Sequence, residues 1–279
     1  MKKATSLSLC STLAFAAAVV SCNRSDNNGG SICFDDRREA AAFTLDGSAE
    51  EYGTDANLRV ACRANLLMPT KVYGNDVNGL QDTIRRMAFG STDGVSLPQD
   101  YFRKSAGEFG FALTPLELTE AATDSLAASA AAGNDYDGFV SVEGYVQSLT
   151  QKILSYAVST DSYAPHAAHG MYGISYVNYD IEGARVFGLS DIFTPEGLQA
   201  LPGVIRTTAE RMTGSIGSTT IETLPADNNF TVEPDGDVVF VYQPYEVASF
   251  AQGIINVPVP AYTVDSLLTD YGKQLLLSE

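Results

Sequence analysis

Alternation is the first regularity along the chain. In NLRVACRANLLMP, Leu58, Val60, Cys62, Ala64, Leu66 and Met68 recur at every second position between mostly polar neighbours. A strand with one face on a core produces that period, and Pro69 is expected to end it. The period then lengthens. In DVNGLQDTIRRMAFG, Val77, Leu80, Ile84, Met87 and Ala88 fall on one helical face, with Asp76 as a candidate cap and Gly90 as the stop. TPLELTEAATDSLAASAAAG sets Thr114 and Glu117 at capping-box spacing around Pro115, and Gly133 follows the last Ala, which predicts a helix over 114–133.

From Tyr136 to Phe187 the pattern returns to strands. GFVSVEGYV, KILSYAVST and MYGISYVNY are rich in Val, Ile and Tyr and are joined by short turn-like segments, as antiparallel neighbours are. DIEGARVFGLSDIF adds a tight turn at Glu182-Gly183 and a short strand. A helix is expected from Thr194-Pro195, with Pro202 forcing a break or a second start and Gly214 closing it. FTVEPDGDVVFVYQPY reads as a hairpin turning at Asp235-Gly236, and GIINVPVPAYTVDSLLTDYG as a strand and a short helix. No fixed-period repeat is present. Strands and helices in this mixed, non-alternating order predict an α+β fold, an antiparallel β-sheet with helices packed on one side.

The chain opens MKKATSLSLCSTLAFAAAVVSC, a charged start, an apolar run to Val20 and then Ser21-Cys22. This is the order of a secretory signal over residues 1–21, with an apolar part too short to span a bilayer comfortably. A cysteine at that point resembles the lipobox of bacterial lipoproteins, departing from the usual Leu-Ala-Gly-Cys form by carrying Val19 and Val20. The expectation is an acidic cell-envelope lipoprotein, anchored through Cys22, at the outer membrane. Residues 22–34, polar and Gly-rich, read as a flexible tether.

Charge narrows the partners. The formal charge is −17, and losing Lys2 and Lys3 with the signal makes it −19, which disfavours nucleic acid and anionic membrane surfaces and suits a cationic protein. The same acidity also serves plain solubility. With Cys22 lipidated, Cys33 and Cys62 could bridge, closing a loop worth about 3.5 kcal/mol in chain entropy. The alternative is a buried thiol at Cys62, on the apolar face of its strand.

Both histidines of the chain lie in SYAPHAAHGMYG, as His166 and His169. On a helix this spacing would let both ligate one metal. Pro165 and the alternation after Gly170 place the pair instead on a loop entering a sheet, and no third histidine completes a ligand set; neither metal nor other cofactor is expected. The block YAPHAAHGMYGISYVNYDIEGARVFGLSDIFTPEG resembles the bacterial envelope domain of RsiV-type lysozyme-sensing anti-sigma factors and of the non-catalytic part of PdaC-type peptidoglycan deacetylases. The resemblance rests on Ala168-His169-Gly170, on Leu189-Ser190-Asp191-Ile192-Phe193, and on Tyr242, Pro244, Tyr245, Glu246, Gly253, Val257 and Pro258. Where the family has Gly-Gly before Ala-His, this chain has His166-Ala167. The resemblance implies an N-terminal half over 35–160 and a C-terminal half over 161–279. It also implies that His169 is a structural loop residue.

Catalytic signatures are sparse. GxSxG, HExxH, P-loop, Rossmann and CxxC patterns are absent from the sequence. CFDD at 33–36 is similar to the aspartate motif of polysaccharide deacetylases but has Cys33 where Thr belongs and lacks the companion histidines. GNDYDG fails as a calcium loop, because Gly133 and Gly144 fall where carboxylates are required. EPDGD gathers Glu233, Asp235 and Asp237 at a hairpin, which reads as a solvated turn. The expected function is a non-catalytic envelope binding module for a lysozyme-like cationic protein or for peptidoglycan fragments. The alternatives are a glycan hydrolase with a carboxylate pair that only folding would assemble, and a structural component of a surface complex.

Overall fold

A computed structural model of the chain describes residues 32–90, 98–128, 135–212 and 221–277. The long strand β1 (Ile32–Asp46) begins within the segment read as tether and runs antiparallel to β2 (Arg59–Val72), with the short helix α1 (Ser48–Tyr52) in the connection. β2 realises the alternation: Val60, Cys62, Ala64, Leu66 and Met68 are all buried. It does not stop at Pro69. The pairing shifts register at Cys33/Phe34 and continues to Val72, so the proline sits at an irregularity.

Asp76 is not a cap. It belongs to the two-residue β3 (Asn75–Asp76), paired with Lys71 of β2, and α2 (Asn78–Phe89) starts after it. This helix buries Leu80, Ile84 and Ala88 and ends at Gly90 with φ 72°, as its sequence predicts. After α3 (Pro98–Gly107), which buries Phe102 and Ala106, comes the largest departure from the sequence pattern. Ala112–Pro115 is a strand, β4, hydrogen-bonded to β1, and the next helix, α4, covers only Glu120–Ala128. The Thr114 hydroxyl donates to Asp46 at 2.7 Å rather than capping, while Thr119 Oγ1 accepts from the Ala122 N–H. The Gly133 stop lies outside the described residues.

β5 (Gly138–Leu149), β6 (Ile153–Tyr163), β7 (Met171–Asp180) and β8 (Arg185–Phe187) complete one large sheet of order β4-β1-β2-β5-β6-β7-β8, with β3 beside β2. The junction β2–β5 is parallel, Val60 lying opposite Gly138, and the other pairings are antiparallel. The division expected at 160/161 falls inside β6, and the sheet takes strands from both sides of it.

Two helices, α5 (Leu189–Ile192) and α6 (Pro195–Arg211), lead to a second, three-stranded sheet of β9 (Phe230–Val232), β10 (Val238–Tyr242) and β11 (Ile255–Val259), and α7 (Asp270–Leu276) ends the chain's elements. Thr194 caps α6 as expected, accepting from Gly197 N at 2.9 Å. Pro202 does not break that helix: Leu201, Ile205 and Ala209 hold one continuous face in the core on either side of it. Its expected stop at Gly214 lies outside the described residues.

The architecture is α+β, but the helices are not confined to one side. α2 and α3 cover one face of the large sheet over a core that includes Val60, Cys62, Leu80, Ile84 and Phe102. On the opposite face α4 rests Leu126 against Ala42 and Ala61. The small sheet also docks there, through polar side chains. Asn178 of β7 donates to Phe230 O at 2.9 Å, Ser155 of β6 donates to Asn178 Oδ1 at 2.6 Å, and the Ser148 hydroxyl donates to Val232 O. A second apolar core lies between the small sheet and α5, α6 and α7.

Candidate functional site

Three connections meet beside the outer end of β7: the loop 164–170, the turn after β10, and the 3-10 turn Phe250–Gln252. The loop is pinned by Tyr163, whose hydroxyl donates to Ala167 O at 3.0 Å, and by buried Pro165 against Gly138. Gly170 closes it. A Cβ there would come within 2.7 Å of Ser162 O, so the strand can enter only with glycine.

The turn after β10 is Gln243-Pro244-Tyr245-Glu246, closed by Glu246 N donating to Gln243 O at 3.1 Å. Pro at its second position and a positive φ at its third make the pattern of a type II turn, where glycine is normally required. Here the third residue is Tyr245, with φ 70°. A bulky side chain at positive φ costs about 1–2 kcal/mol. The surroundings hold it there. Glu246 folds back so that Oε2 accepts from Gln243 N at 2.7 Å and Oε1 from Ala226 N at 2.6 Å. The Gln243 amide bonds the free edge of β7, donating to Ile174 O at 2.7 Å and accepting from Ile174 N at 3.0 Å. Asn229 repeats this one step along, accepting from Tyr176 N and donating to Ile174 O.

Phe250 is the hub of the aromatic cluster that results. His169 stacks on it with ring centroids 4.0 Å apart, and Tyr245 and Tyr172 each lie 5.4 Å away. His169 Nδ1 lies 2.8 Å from Gly170 O and therefore carries the proton, leaving Nε2 to face the Tyr245 hydroxyl at 3.4 Å. Gly253 ends the 3-10 turn at φ 71°, where an added Cβ would come within 3.1 Å of the Tyr172 hydroxyl. Tyr245 is 58% exposed. Next to the cluster an open cleft of about 300 Å³ runs between α3 and β6–β7, lined by Tyr101, Glu108, Thr160, Met171, Gln243 and Pro244 among others.

Of the residues singled out in the sequence, His169, Gly170, Pro244, Tyr245, Glu246 and Gly253 are brought together here. Asp191 and Phe193 are elsewhere. Asp191 Oδ2 accepts from Gly188 N at 2.8 Å and Oδ1 pairs with Arg185 at 2.9 Å. Burial alone would raise its carboxyl, but the Gly188 N–H and Arg185 outweigh burial and hold it below the usual range. Phe193 is a fully buried member of the second core. His166 turns away from His169 and stacks on Tyr52 at 4.5 Å. Among the described residues no three His, Cys, Asp or Glu side chains group to hold a metal, and no helix is long and apolar enough to cross a membrane. Asp35 and Asp36 of the CFDD stretch are exposed and paired with Arg37 and Arg38.

The bridge between Cys33 and Cys62 does not form. Cys62 is a free, buried thiol, and burial pushes its pKa up to about 12. Cys33 is disulfide-bonded, but Cys62 lies opposite Ala41, eight residues along β1 and so about 26 Å from it. Cys22 lies outside the described residues.

Sequence reading missed Tyr172, Gln243 and Phe250. Tyr172 is one of several tyrosines in a strand, and no local pattern tells which of them will meet a ring from eighty residues away.

A family profile described as "Protein of unknown function (DUF3298)" matches residues 190–262. No curated protein matches the chain. Among solved structures, a DUF3298 family member from Bacteroides fragilis superposes with a TM-score of 0.61 at 18% identity, covering 90% of this chain and all of that one. A DUF3298 family protein from Pseudomonas aeruginosa gives 0.50 at 14% identity, with 85% and 95% covered. At such identities the likeness is one of fold. The chain therefore has the fold of these DUF3298 structures over most of its length, and its segment 190–262 matches the family itself.

Proposed function

We propose that the protein is a non-catalytic binding module of the cell envelope, which holds a lysozyme-like cationic protein at the aromatic cluster. The observation that carries this reading is Tyr245. A bulky ring is held more than half exposed on a backbone that favours glycine, braced by Glu246 and Gln243. Strain retained in a surface turn has no stabilising use, and it is expected where presentation of the side chain matters. Exposed aromatic anchors dominate protein interfaces, and a charge of −17 steers a cationic partner toward them. The resemblance to lysozyme-sensing ectodomains supports the same partner class.

Peptidoglycan fragments are the second ligand class. Aromatic rings bordering a cleft with Thr160, Ser162, Glu108 and Gln243 offer a stacking face and hydrogen-bonding groups for a sugar. On either reading the ligand is held, not cleaved, and sacculi incubated with the protein should release no soluble products.

The test is Tyr245→Gly in the full chain purified in detergent. Glycine relieves the positive φ, so the variant should be about 1 kcal/mol more stable in urea. Its affinity for a lysozyme should fall at least tenfold. Competition by soluble muropeptides separates the two ligand classes. Unchanged affinity for both ligands in the variant, or release of products from sacculi, would overturn the reading.

A further inference from the structure

Among the described residues, the face of the large sheet opposite α2 and α3 is covered at its two ends. Leu126 of α4 packs on Ala42 and Ala61 at one end, and β9 docks on Ser148, Ser155 and Asn178 at the other. Between them the described residues leave a floor of partly exposed side chains over buried Ser141 and Ala157. Register fixes what it presents: Arg63 lies beside Ser141 of β5, Asp161 lies between Ser141 and Tyr172 of β7, and Ala157 lies between Tyr145 and Tyr176. Side chains two apart on a strand share a face, so these rows point the same way. Tyr145 and Tyr172 are each 38% exposed. Four strands at about 4.8 Å and four residue steps at about 3.3 Å give a floor of roughly 14 by 13 Å.

The floor carries more acid than base. Arg63 is taken up by Glu143, to which it is ion-paired. Asp161 and, at the hairpin bordering Tyr176, Glu233 make no ion pair among the described residues. Burial raises both carboxyls above their ordinary values, and for Glu233 neighbouring Asp235 and Asp237 add to the rise. A cationic side chain beside either carboxylate would offset the cost of its burial, and the tyrosine faces would add cation–π attraction.

We propose that this floor is a docking trough for one extended, arginine- or lysine-bearing segment of a protein partner. It rests on the cationic-partner reading above and adds the place where that partner's basic residues are held. Area decides the occupant's size. A stable interface needs about 800 Å² from each side, several times this floor, so the trough takes a single protruding segment while the rest of the contact lies elsewhere. Tyr172 belongs both to the floor and, through Phe250, to the aromatic cluster. The two surfaces are continuous.

The test uses an octa-arginine peptide as probe, titrated calorimetrically into the full chain in detergent at about 0.1 M salt. The trough pair Asp161→Asn/Glu233→Gln is compared with Glu50→Gln/Glu210→Gln, which removes the same two charges from exposed sites on α1 and α6. Circular dichroism and the thermal midpoint establish that all variants are folded. The trough pair should weaken binding at least tenfold and the control pair less than twofold. Tyr145→Ala should weaken it about threefold. Equal losses in the two pairs, or no binding to the wild type, would overturn the trough. A lysozyme that needs Tyr245 but ignores the trough pair would also overturn it, leaving the proposed function intact. Trough-dependent peptide binding without any lysozyme binding would uphold the trough and remove lysozyme as the partner.

Discussion

The two faces of the large sheet are built by opposite rules. Toward α2 and α3, Val60, Cys62, Leu66, Val142, Tyr156 and Val158 are apolar and dry, and Ile84 and Leu80 of α2 and Phe102 of α3 lie at 0% exposure. Toward the small sheet, burial is achieved with serine and asparagine. Ser155 and Asn178 are as fully buried as the leucines, yet they work by supplying hydrogen bonds to the outer edge of β9. Four residues further along β6, Ser159 sits on the same face in the floor, half-buried and opposite Ile174. One face tolerates any well-fitting apolar side chain; the other depends on particular polar atoms being in particular places.

That contrast can be broken in three steps. Ile84→Ala empties the dry face and should cost about 3 kcal/mol, read from the urea midpoint. Ser155→Ala should cost about 1–2 kcal/mol, since Val232 N loses its acceptor and Asn178 Oδ1 its donor in a buried setting. Hydrogen exchange should then quicken in β9 and β10 before it does in β2. Ser159→Ala, the same change on the same strand, should stay within about 0.5 kcal/mol. Equal costs for the two serines would mean that the small sheet is held by its apolar core alone.

The same pair explains how much could be read beforehand. The dry face was legible because β2 and α2 report it by their periods and β5, β6 and β7 by their Val, Ile and Tyr content; in the small sheet the β9–β10 hairpin was legible from Asp235-Gly236. The other face was not, because a serine that welds two sheets and a serine that faces water look alike in the chain. β4 was mistaken for a helix start because Thr114, Pro115 and Glu117 imitate a capping box, a local signal that lost to pairing with β1. β1 was obscured by charged residues from Asp35 to Glu39, which alternate with nothing apolar. At the candidate site, the glycines, Pro244 and Tyr245 stood out as motif residues. Their convergence on Phe250 and Tyr172 did not, since it depends on contacts between β7 and a turn some eighty residues later.

The side-chain amides of Asn229 and Gln243 take up Ile174 N, Ile174 O and Tyr176 N on the edge of β7 that β8 leaves bare. A bare strand of this kind is where a second molecule could add a strand of its own and so begin polymerisation. With these groups taken by amides, neighbouring copies would find no template there. Strand addition is thereby closed off at this stretch of β7.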